Sequence, residues 1–545
     1  MKKYYGKRVY DGIAIGKMIR LDNSFSITKN IGQGFEEELK RFNDSRFIVI
    51  NNYKELYNKQ IKEIDEDSAN IILSFIMIAE DLDLIDIVEE QLRNSNVPAE
   101  VAVNNACQIL QEMLSNLDND YLKERTNDIN EVCNKIINQL QNKQSVILNE
   151  PSIIIAKNME VSTLFQIEKD MILGLVLEDV SPNAHISILA RSLAIPCLVS
   201  ISEKIEDQTY AILDSSNSLL ITNPTLEVAN DYTIKLEKTL QEKEELEKYK
   251  DIFIKTIDNK TIKVYANISS TLEVKSVIDA NADGIGLFRS EYIYINSNNF
   301  PSEESQFEQY KKCVSLMNNK PTIIRTMDIG ADKSVNYFSL PQEKNPFLGY
   351  RGVRLYKEFK EVFLTQIRAL LRASYYGNLK IMIPMITNVG EIKFVLECIN
   401  EAKESLKQNN IPYNDKTQIG VMIETPASAL ICDELADYVD FFSIGTNDLS
   451  QYVLAIDREN EKVLDTFNPK HKAILRLIYN IAKIAKEKNI DVGICGELAR
   501  EKDLLGFYIL CDIDELSVSA SYILECKKNI LQVDTSKINI YDYIK

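Results

Sequence analysis

The chain has 545 residues, of which 45% are hydrophobic, and it carries a formal net charge of −18. This length predicts roughly three or four domains, and the hydrophobic content is ample for their cores. The acidic balance argues against nucleic acid as a partner, and no apolar run approaches the roughly 20 residues that span a bilayer, which argues against membrane insertion.

Cysteine and histidine usage points to a reducing compartment. The nine cysteines are odd in number and form no CxxC pair, and no apolar segment follows the basic N-terminus. Reduced thiols without a signal peptide are typical of a cytoplasmic protein. Only two histidines are present, His185 and His471, so a histidine-based zinc site is not expected.

The first 226 residues alternate between strand and helix patterns. Short strands are predicted within residues 1–22 and again between Pro151 and Pro224, whereas residues 33–147 show helical periodicity. We therefore predict a small α/β domain formed by residues 1–22 and 148–226. A bundle of roughly four helices is inserted as residues 23–147, with helical patterns at Glu36–Tyr53, Ala69–Arg93 and Asp118–Gln141.

His185 follows a Ser-Pro-Asn cluster that predicts a turn and a helix start. The histidine then lies in the first turn of the helix, where backbone N–H groups and the helix dipole favour an anion. Two interpretations stay open for it: a phosphohistidine held by those N–H groups, or an ordinary capping histidine. His471 is expected at a solvated helix start and is assigned no role.

A charge-rich linker helix is predicted within residues 227–255, and a regular alternation of strands and helices follows over residues 256–545. Eight strands alternating with helices predict a (β/α)8 TIM barrel; an open doubly wound sheet is the alternative. The predicted strands are Ile262–Ala266, Gly284–Phe288, Thr322–Met327, Lys380–Pro384, Gly420–Ile423, Phe441–Ile444, Val492–Ile494 and Glu515–Val518.

The stretch 440–458 is the most informative single segment. It begins as a buried strand, breaks at Gly445, and then presents Asn447 and Asp448 together before Arg458. By itself this is a strand end with an Asn-Asp turn. At the carboxyl end of a barrel strand, however, Asp448 suits Mg²⁺ and Arg458 suits phosphate or carboxylate.

Polar side chains follow most of the other predicted strands as well. Active sites of TIM barrels lie at the carboxyl ends of the strands, and arginines there repel each other unless an anion lies among them. We therefore expect a small substrate that carries phosphate and carboxylate, with a divalent metal on Glu424 and Asp448. Cys495 is either a small buried residue or a proton donor. The further candidates are Arg289, Arg325, Arg351 and Glu291.

Several motifs together resemble Enzyme I of the phosphoenolpyruvate:sugar phosphotransferase system, the phosphoenolpyruvate–protein phosphotransferase. The resemblance covers essentially the whole chain, and its motifs occur in the family's order. They are the segments 12–17, 121–125, 178–191, 284–291, 325–333, 422–426, 440–458 and 495–498.

The resemblance implies that His185 accepts the phosphoryl group through Nε2 and passes it to the carrier protein HPr, with release of pyruvate. It implies Mg²⁺ on Glu424 and Asp448, and protonation of the enolate carbon by Cys495. The helical insert would dock HPr, and the barrel would form a homodimer. The residues implied to hold phosphoenolpyruvate are Arg289, Arg325, Arg351, Lys333, Asn447 and Arg458.

The turn before the histidine departs from the family pattern. Val180 and Ser181 stand where the family usually has a Gly-Gly pair, and Ile186 stands where a small residue is usual. A pyruvate phosphate dikinase is a rival, but it needs a large ATP-binding domain and the insert has no glycine-rich ATP loop. A non-catalytic regulatory protein that binds phosphoenolpyruvate is a second rival, which the intact Glu424, Asp448 and Cys495 disfavour.

Overall fold

The computed structural model of the chain forms two compact units, Met1–Gln241 and Glu242–Lys545. It describes residues 1–21, 31–63, 66–115, 120–142, 148–159, 161–182, 184–201, 203, 205, 210–295, 297, 299–330, 335, 337–338, 340–341, 343–458, 460 and 462–545.

The first unit contains an eight-stranded mixed sheet. Its strands are Lys2–Tyr5 (β1), Lys7–Tyr10 (β2), Ile13–Arg20 (β3), Ser152–Ala156 (β4), Ile172–Leu177 (β5), Cys197–Val199 (β6), Tyr210–Asp214 (β7) and Leu219–Thr222 (β8). They lie in the order β1-β8-β7-β3-β4-β5-β6-β2. The central strands β3 to β6 are parallel, and the outer strands pair antiparallel. All eight strands fall within residues 1–22 and 151–224, where short strands were predicted.

Helices cover and follow this sheet. They are Phe35–Glu63 (α1), Glu66–Ala79 (α2), Leu82–Ser95 (α3), Ala99–Ser115 (α4), Asp120–Leu140 (α5), Val161–Gln166 (α6), His185–Ser192 (α7) and Leu226–Glu247 (α8). One core joins the inserted helices to the sheet, with Phe42, Phe75 and Val132 packing in the same cluster as Ile154 and Leu175. The predicted α/β fold with an inserted helical bundle is confirmed.

The described part of the bundle contains five helices, whereas roughly four were predicted. The apolar period across Ala69–Arg93 was taken as one helix, but the chain breaks between α2 and α3. The cause is Asp81, which has extended backbone and accepts a hydrogen bond from the backbone N of Asp83 at 2.9 Å. A side chain that caps the N–H groups of a new helix interrupts the preceding one even where the apolar period continues.

The helix α7 begins at His185, as the sequence predicts. Its N-cap is Ala184, and the turn before it is fixed by a bond from the Ser187 hydroxyl to the Ser181 carbonyl at 2.8 Å. The His185 side chain lies outside the described part of the structure. The second histidine, His471, caps a later helix, where its Nδ1 accepts a hydrogen bond from the backbone N of Ala473 at 3.1 Å.

The predicted linker helix is α8, and none of its residues is buried. The division between the two units falls within it, after Gln241. Across the described residues, no helix combines the length and the apolar character that crossing a membrane requires.

The second unit is a closed barrel of eight parallel strands, which confirms the predicted TIM barrel and excludes the open sheet. Its strands are Lys263–Ile268 (β9), Gly284–Arg289 (β10), Thr322–Arg325 (β11), Leu379–Ile383 (β12), Gln418–Ile423 (β13), Phe441–Gly445 (β14), Asp491–Cys495 (β15) and Glu515–Ser519 (β16). The helices are Val274–Asp279 (α9), Glu291–Ile295 (α10), Glu303–Leu316 (α11), Lys360–Ser374 (α12), Val389–Gln408 (α13), Pro426–Leu430 (α14), Cys432–Leu435 (α15), Thr446–Leu454 (α16), Lys472–Lys488 (α17), Leu505–Leu510 (α18), Ile523–Ile530 (α19) and Tyr541–Ile544 (α20).

Apolar side chains fill the middle of the barrel and form a separate cluster from the shell between strands and helices. As in other eight-stranded barrels, the interior is a packed core, and functional residues lie at the strand ends. The cluster consists of Leu287, Ile323, Met382, Met422, Phe441 and Cys495.

Replacing the residue that separates α2 from α3 tests the cause of that break. Asp81→Ala is expected to destabilise the start of α3 by about 0.5–2 kcal/mol, because the N-cap acceptor is lost. Native-state hydrogen exchange of the α3 amides measures the effect. The exposed mid-helix variant Glu90→Ala is the control, with an expected change within about 0.5 kcal/mol. Equal exchange in both variants would show that the cap does not end the preceding helix.

Candidate active site

Polar and charged side chains meet at the carboxyl ends of the barrel strands. Strand β10 ends at Arg289, β11 at Arg325 and β15 at Cys495, while Glu424 directly follows β13. Strand β14 runs without a loop into α16, so Asn447 and Asp448 lie in the first turn of a helix and not in an Asn-Asp turn. Because all eight strands are parallel, these residues lie on one rim.

Arg325 is buried within a set of carboxylates. Its Nη2 donates to Glu291 Oε1, and its Nη1 lies 3.1 Å from Asp328 Oδ2. Burial by itself would lower the pKa of Arg325, but Glu291, Asp328 and Glu424 together raise it above its ordinary value. The guanidinium is therefore held charged in the protein interior.

Arg351 is only 2% exposed and binds the same aspartate from the other side. Its Nε and Nη2 donate to the two oxygens of Asp328 at 3.2 and 2.8 Å, and Nη2 lies 3.4 Å from Asp448 Oδ2. Burial opposes the charge, but Asp328 and Asp448 outweigh it and raise the pKa of Arg351. Asp328 thus bridges two buried arginines.

These ion pairs correct one step of the sequence argument. Arginines on one rim were expected to need a bound anion between them, but Arg325 and Arg351 are already neutralised by carboxylates of the protein. A bound anion is instead expected to interact with the arginines that are less buried. One of them is Arg458, whose side chain is 29% exposed.

Glu424 is buried near two other carboxylates. Its Oε1 accepts a hydrogen bond from the backbone N of Met385 at 2.7 Å. Burial, together with the nearby charges of Asp448 and Asp328, raises the pKa of Glu424 to about 8, although the two buried guanidinium groups partly oppose the shift. A carboxylate held beside like charges in the interior favours either a proton or a cation.

Among the buried side chains that the structure describes, the charges of the rim do not balance without a further cation. Four carboxylates are buried against two buried guanidinium groups, which leaves a surplus of two negative charges if all are ionised. The buried carboxylates are Glu291, Asp328, Glu424 and Asp448, and the buried guanidinium groups are Arg325 and Arg351.

A divalent cation fits the donors present. Asp448 Oδ1 is buried and accepts no hydrogen bond within the described part of the chain, and its nearest cation, Arg458 Nη2, is 3.5 Å away. A Cβ at Gly445 would lie 3.1 Å from Glu424 Oε2, so glycine leaves room beside this carboxylate. No cluster of three protein ligands occurs among the described residues, but Mg²⁺ is usually held by one or two carboxylates together with substrate and water.

Asn447, in the first turn of α16, links this helix to the loop that follows β15. Its Oδ1 accepts a hydrogen bond from the backbone N of Glu497 at 2.9 Å. Gly496, directly after β15, has φ +108°, and a Cβ there would lie 2.4 Å from Thr446 Oγ1 and 2.9 Å from Asn447 Oδ1. Only glycine tolerates both the positive φ and the close contact, so Gly496 allows the loop after β15 to approach α16 closely.

Cys495 lies at the inner end of the site and is 2% exposed. The Ser443 hydroxyl donates to its Sγ at 3.3 Å, and Sγ lies 3.6 Å from the Ile444 carbonyl oxygen. Burial raises the pKa of the Cys495 thiol to about 12, and the carboxylates of Glu515 and Glu424 add to the effect. The thiol is therefore protonated at neutral pH and suited to give up a proton, not to act as a resting nucleophile.

Comparison with known proteins identifies the family. Three family descriptions match the chain: PEP-utilising enzyme, N-terminal, over residues 5–125; PEP-utilising enzyme, mobile domain, over 148–218; and PEP-utilising enzyme, PEP-binding domain, over 243–535. The phosphoenolpyruvate-protein phosphotransferase of Priestia megaterium is 35% identical over 98% of this chain and 95% of its own length. The chain belongs to the phosphoenolpyruvate-protein phosphotransferase family. The predicted resemblance and enzyme class are confirmed.

Other members show the same extent of similarity. The phosphoenolpyruvate-protein phosphotransferase of Buchnera aphidicola is 36% identical over 95% of this chain and 92% of its own. That of Bacillus subtilis is 35% identical over 97% and 94%. A solved NMR structure of Enzyme I covers 43% of this chain and 99% of its own, at 28% identity and a TM-score of 0.37.

Most of the residues that the family resemblance singles out in the barrel lie on the rim. Two residues of the resemblance, Lys333 and His185, and one further arginine need separate mention. Lys333 lies outside the described residues, and so does the side chain of His185. Arg354, which the sequence places in the same loop as Arg351, donates to the carbonyl oxygens of Leu348 and Gly349 at 2.8 and 2.6 Å. It therefore holds its own loop.

The sequence argument gave no role to Asp328, the residue that joins the two buried arginines. A signal for it was present, because Asp328 follows Arg325 by three residues within one of the family motifs. Glu291 was noted at a strand end but not as the partner of Arg325. The pairing of Asp328 with Arg351, 23 positions away, cannot be seen from spacing alone, and neither can the pairing of Glu291 with Arg325, 34 positions away.

Removing the charge of the bridging aspartate tests the buried network. Asp328→Asn is expected to destabilise the barrel by about 3–5 kcal/mol, because two buried guanidinium groups lose their shared partner. The shift of the barrel's unfolding transition in urea measures this. The exposed Asp433→Asn is the control, with an expected change within about 0.5 kcal/mol. A shift no larger than the control would contradict the role of Asp328.

Proposed function

We propose that this chain transfers the phosphoryl group of phosphoenolpyruvate to His185 and then to the carrier protein HPr, releasing pyruvate, as the first step of the sugar phosphotransferase system. The observation that carries the proposal is the cluster of buried, opposite charges on the rim of a barrel in a member of this family. A concave site with a few convergent charged groups and strongly shifted pKa values is typical of catalysis.

Phosphoenolpyruvate is proposed to bind against the rim. Phosphoryl transfer needs mostly positioning and charge neutralisation, which arginines supply with planar, bidentate donors. Arg325 Nε is buried and has no hydrogen-bond acceptor among the described residues, which leaves a donor for the substrate. The proposed set of substrate-binding residues is Arg289, Arg325, Arg351, Lys333, Asn447 and Arg458.

Glu424 and Asp448 are proposed to hold Mg²⁺. The cation would neutralise the excess negative charge of the rim and of the transferring phosphoryl group. Asp448 lies in the first turn of α16, where the helix dipole favours its charge, and Gly445 leaves space beside Glu424. The protein's part is to keep both carboxylates in place before the substrate arrives.

Cys495 is proposed to protonate the enolate that phosphoryl transfer leaves behind. The S–H bond breaks and a C–H bond forms at the methylene carbon, giving pyruvate and a thiolate. The burial of Cys495 and its raised pKa favour the thiol as the resting form. A donor that keeps its proton until a strongly basic carbon is formed avoids loss of the proton to water.

His185 is proposed as the phosphoryl acceptor because α7 begins at this residue. A helix N-terminus offers backbone N–H groups and a favourable dipole to a phosphoryl group, and a neutral imidazole is nucleophilic near neutral pH. The altered turn before it has its own supports. The Ser187 hydroxyl donates to the Ser181 carbonyl and the Ser200 hydroxyl to the Val180 carbonyl at 2.9 Å. These bonds are consistent with an ordered approach to the histidine without the Gly-Gly pair.

The inserted helices are proposed to dock HPr. Leu73 and Met77 lie one helical turn apart on α2 and are 37% and 60% exposed, and Leu82 at the start of α3 is 72% exposed. Apolar side chains exposed on neighbouring helices are typical of a protein interface. The acidic segment 80–90 would add attraction to a basic carrier.

The domain roles and the assembly remain proposals of the same kind. We propose a phosphohistidine domain of residues 1–22 and 148–226, an HPr-binding domain of residues 23–147, a linker of residues 227–255 and a phosphoenolpyruvate-binding domain of residues 256–545. The barrel would form the homodimer interface, and the protein would act in the cytoplasm. The phosphohistidine domain would have to move between the barrel and the carrier.

Labelling with phosphoenolpyruvate tests the proposed function. Incubation with phosphoryl-labelled phosphoenolpyruvate and Mg²⁺ is expected to give acid-labile label on the protein that passes to HPr. His185→Ala should abolish the label, because no other residue replaces its Nε2. His471→Asn is the matched control and should keep full labelling, since asparagine retains the cap that His471 supplies to α17.

Three outcomes distinguish the alternatives. Phosphoenolpyruvate binding without any label on the protein would favour a regulatory role. Label that requires ATP would favour a dikinase. Label that survives in His185→Ala would place the acceptor elsewhere.

The affinity for Mg²⁺ is expected to rise with pH and to level off above about pH 8. The pKa of Glu424 is raised to about 8, so below that pH Mg²⁺ must displace a proton, which costs up to about tenfold in affinity per pH unit. Calorimetric titration between pH 6 and 9 measures this. Asp448→Asn removes a neighbouring negative charge and should weaken binding while moving the pH dependence to lower pH. A constant affinity from pH 6 to 8 would contradict the assignment.

A further inference from the structure

A buried carboxyl group, Glu515, lies in the barrel interior beneath the proposed site. It is the first residue of β16, is 6% exposed, and accepts a hydrogen bond from the Ser517 hydroxyl at 2.9 Å. The nearby cation Lys380 pairs instead with Asp491 at 3.4 Å. A buried acid that is not neutralised by an ion pair is costly, so its presence calls for a reason beyond packing.

The barrel makes room for this group with two glycines. A Cβ at Gly493 would lie 1.8 Å from Glu515 Oε1, and a Cβ at Gly286 would lie 1.7 Å from Ser517 Oγ and 3.1 Å from Glu515 Oε2. Strand β9 lies between β10 and β16, so Gly286 and Ser517 come close to each other across the barrel interior. The side chains of Glu515 and Ser517 therefore point into the barrel.

The strand register directs the pair toward Cys495. Ser517 is the direct partner of Cys495 between β16 and β15, and Glu515 is the partner of Gly493 two residues earlier. Neighbouring strands lie about 4.8 Å apart, and Cys495 belongs to the interior cluster. The hydroxyl and the thiol therefore lie side by side at one level of the barrel, and the carboxyl lies two residues nearer the amino ends of the strands.

The difference in pKa between Glu515 and Cys495 favours transfer of a proton from the carboxyl group to a Cys495 thiolate. Burial raises the pKa of Glu515 to about 8, and burial raises that of Cys495 to about 12. A thiolate left at Cys495 is therefore the stronger base. The charged and titratable groups around Glu515 are Lys380 on β12, Lys263 and Tyr265 on β9, Asp514 beside it, and Cys495 on β15.

We propose that Glu515 returns a proton to Cys495 after each turnover, through the hydroxyl of Ser517. In this step an O–H bond of Glu515 breaks and an S–H bond forms at Cys495, while the serine accepts one proton and donates another. The carboxylate of Glu515 then recovers its proton from solvent. The inference rests on the proposed role of Cys495; Glu515 acts through that thiol and touches no substrate.

Comparison of the first turnover with steady state tests the proposal. The first turnover uses the proton already on Cys495, whereas every later one requires reloading. In Glu515→Gln, rapid-quench measurement of pyruvate on mixing with phosphoenolpyruvate and Mg²⁺ should give a first-turnover rate within about twofold of the parent. The steady-state rate with saturating HPr should fall about tenfold or more.

The pH profile supplies a second readout. The steady-state rate of the parent should decline as pH rises through about 8, because Glu515 loses the proton it donates. In Glu515→Gln the steady-state rate should be low and without that decline. Ser517→Ala should likewise keep the first-turnover rate while its steady-state rate falls. This variant replaces Glu515→Gln in the test if Glu515→Gln does not fold.

The control is Asp514→Asn, next to Glu515, whose side chain instead accepts a hydrogen bond from the backbone N of Val492. It should change first-turnover and steady-state rates in parallel. A parallel fall of both rates in Glu515→Gln and Ser517→Ala, or no change in either, would overturn the proposal. Failure of the parent to form pyruvate and label would instead refute the proposed function itself.

Discussion

The arrangement of the barrel rim depends on one constraint: charges buried away from water must neutralise each other. Asp328 meets this constraint by binding both Arg325 and Arg351, and Glu291 and Asp448 bind the far sides of the same two guanidinium groups. Removing an ion from water costs several kcal/mol, so each loop is held where its charge finds a partner. The segments that follow β10 and β11, the first turn of α16 and the segment before α12 are thereby fixed to one another.

This network also sets what the site can accept. Because its buried arginines are already paired inside the protein, the described buried side chains of the rim carry a surplus of negative charge when ionised. Burial, and after it the charges of Asp448 and Asp328, raise the pKa of Glu424. A divalent cation would restore the balance, and an anionic substrate could then approach the more exposed Arg458. Catalysis of phosphoryl transfer requires charges that are in place before the reaction, and buried ion pairs supply them.

The sequence predicted the barrel well because its strands are short apolar runs bounded by polar residues. Phe441–Ile444 and Thr322–Met327, for example, differ from the observed β14 and β11 only at their ends. Boundaries that depend on a single side chain were missed. Asp81 divides one apolar period into two helices, and the chain enters α16 directly at Thr446, where a turn was expected.

The site could be predicted only in part, for a related reason. The candidate arginines and carboxylates follow strands, and the fold brings strand ends together. Which charge binds which depends on loop paths that spacing does not reveal. The pairing of Asp328 with Arg351 joins residues 23 positions apart, and that of Arg351 with Asp448 joins residues 97 apart. The same holds for Glu515 and Gly286, which meet only because the sheet closes.

The central claim is that the described, buried side chains of the rim carry a surplus of negative charge when ionised, and that the rim becomes competent for its substrate when a divalent cation is bound. Calorimetric titration of phosphoenolpyruvate into the full chain, with saturating Mg²⁺ and with chelator, tests it most directly. The account predicts binding at least about tenfold tighter with Mg²⁺, since the cation offsets repulsion between the substrate and the buried carboxylates. Equal affinity in the two conditions would contradict it.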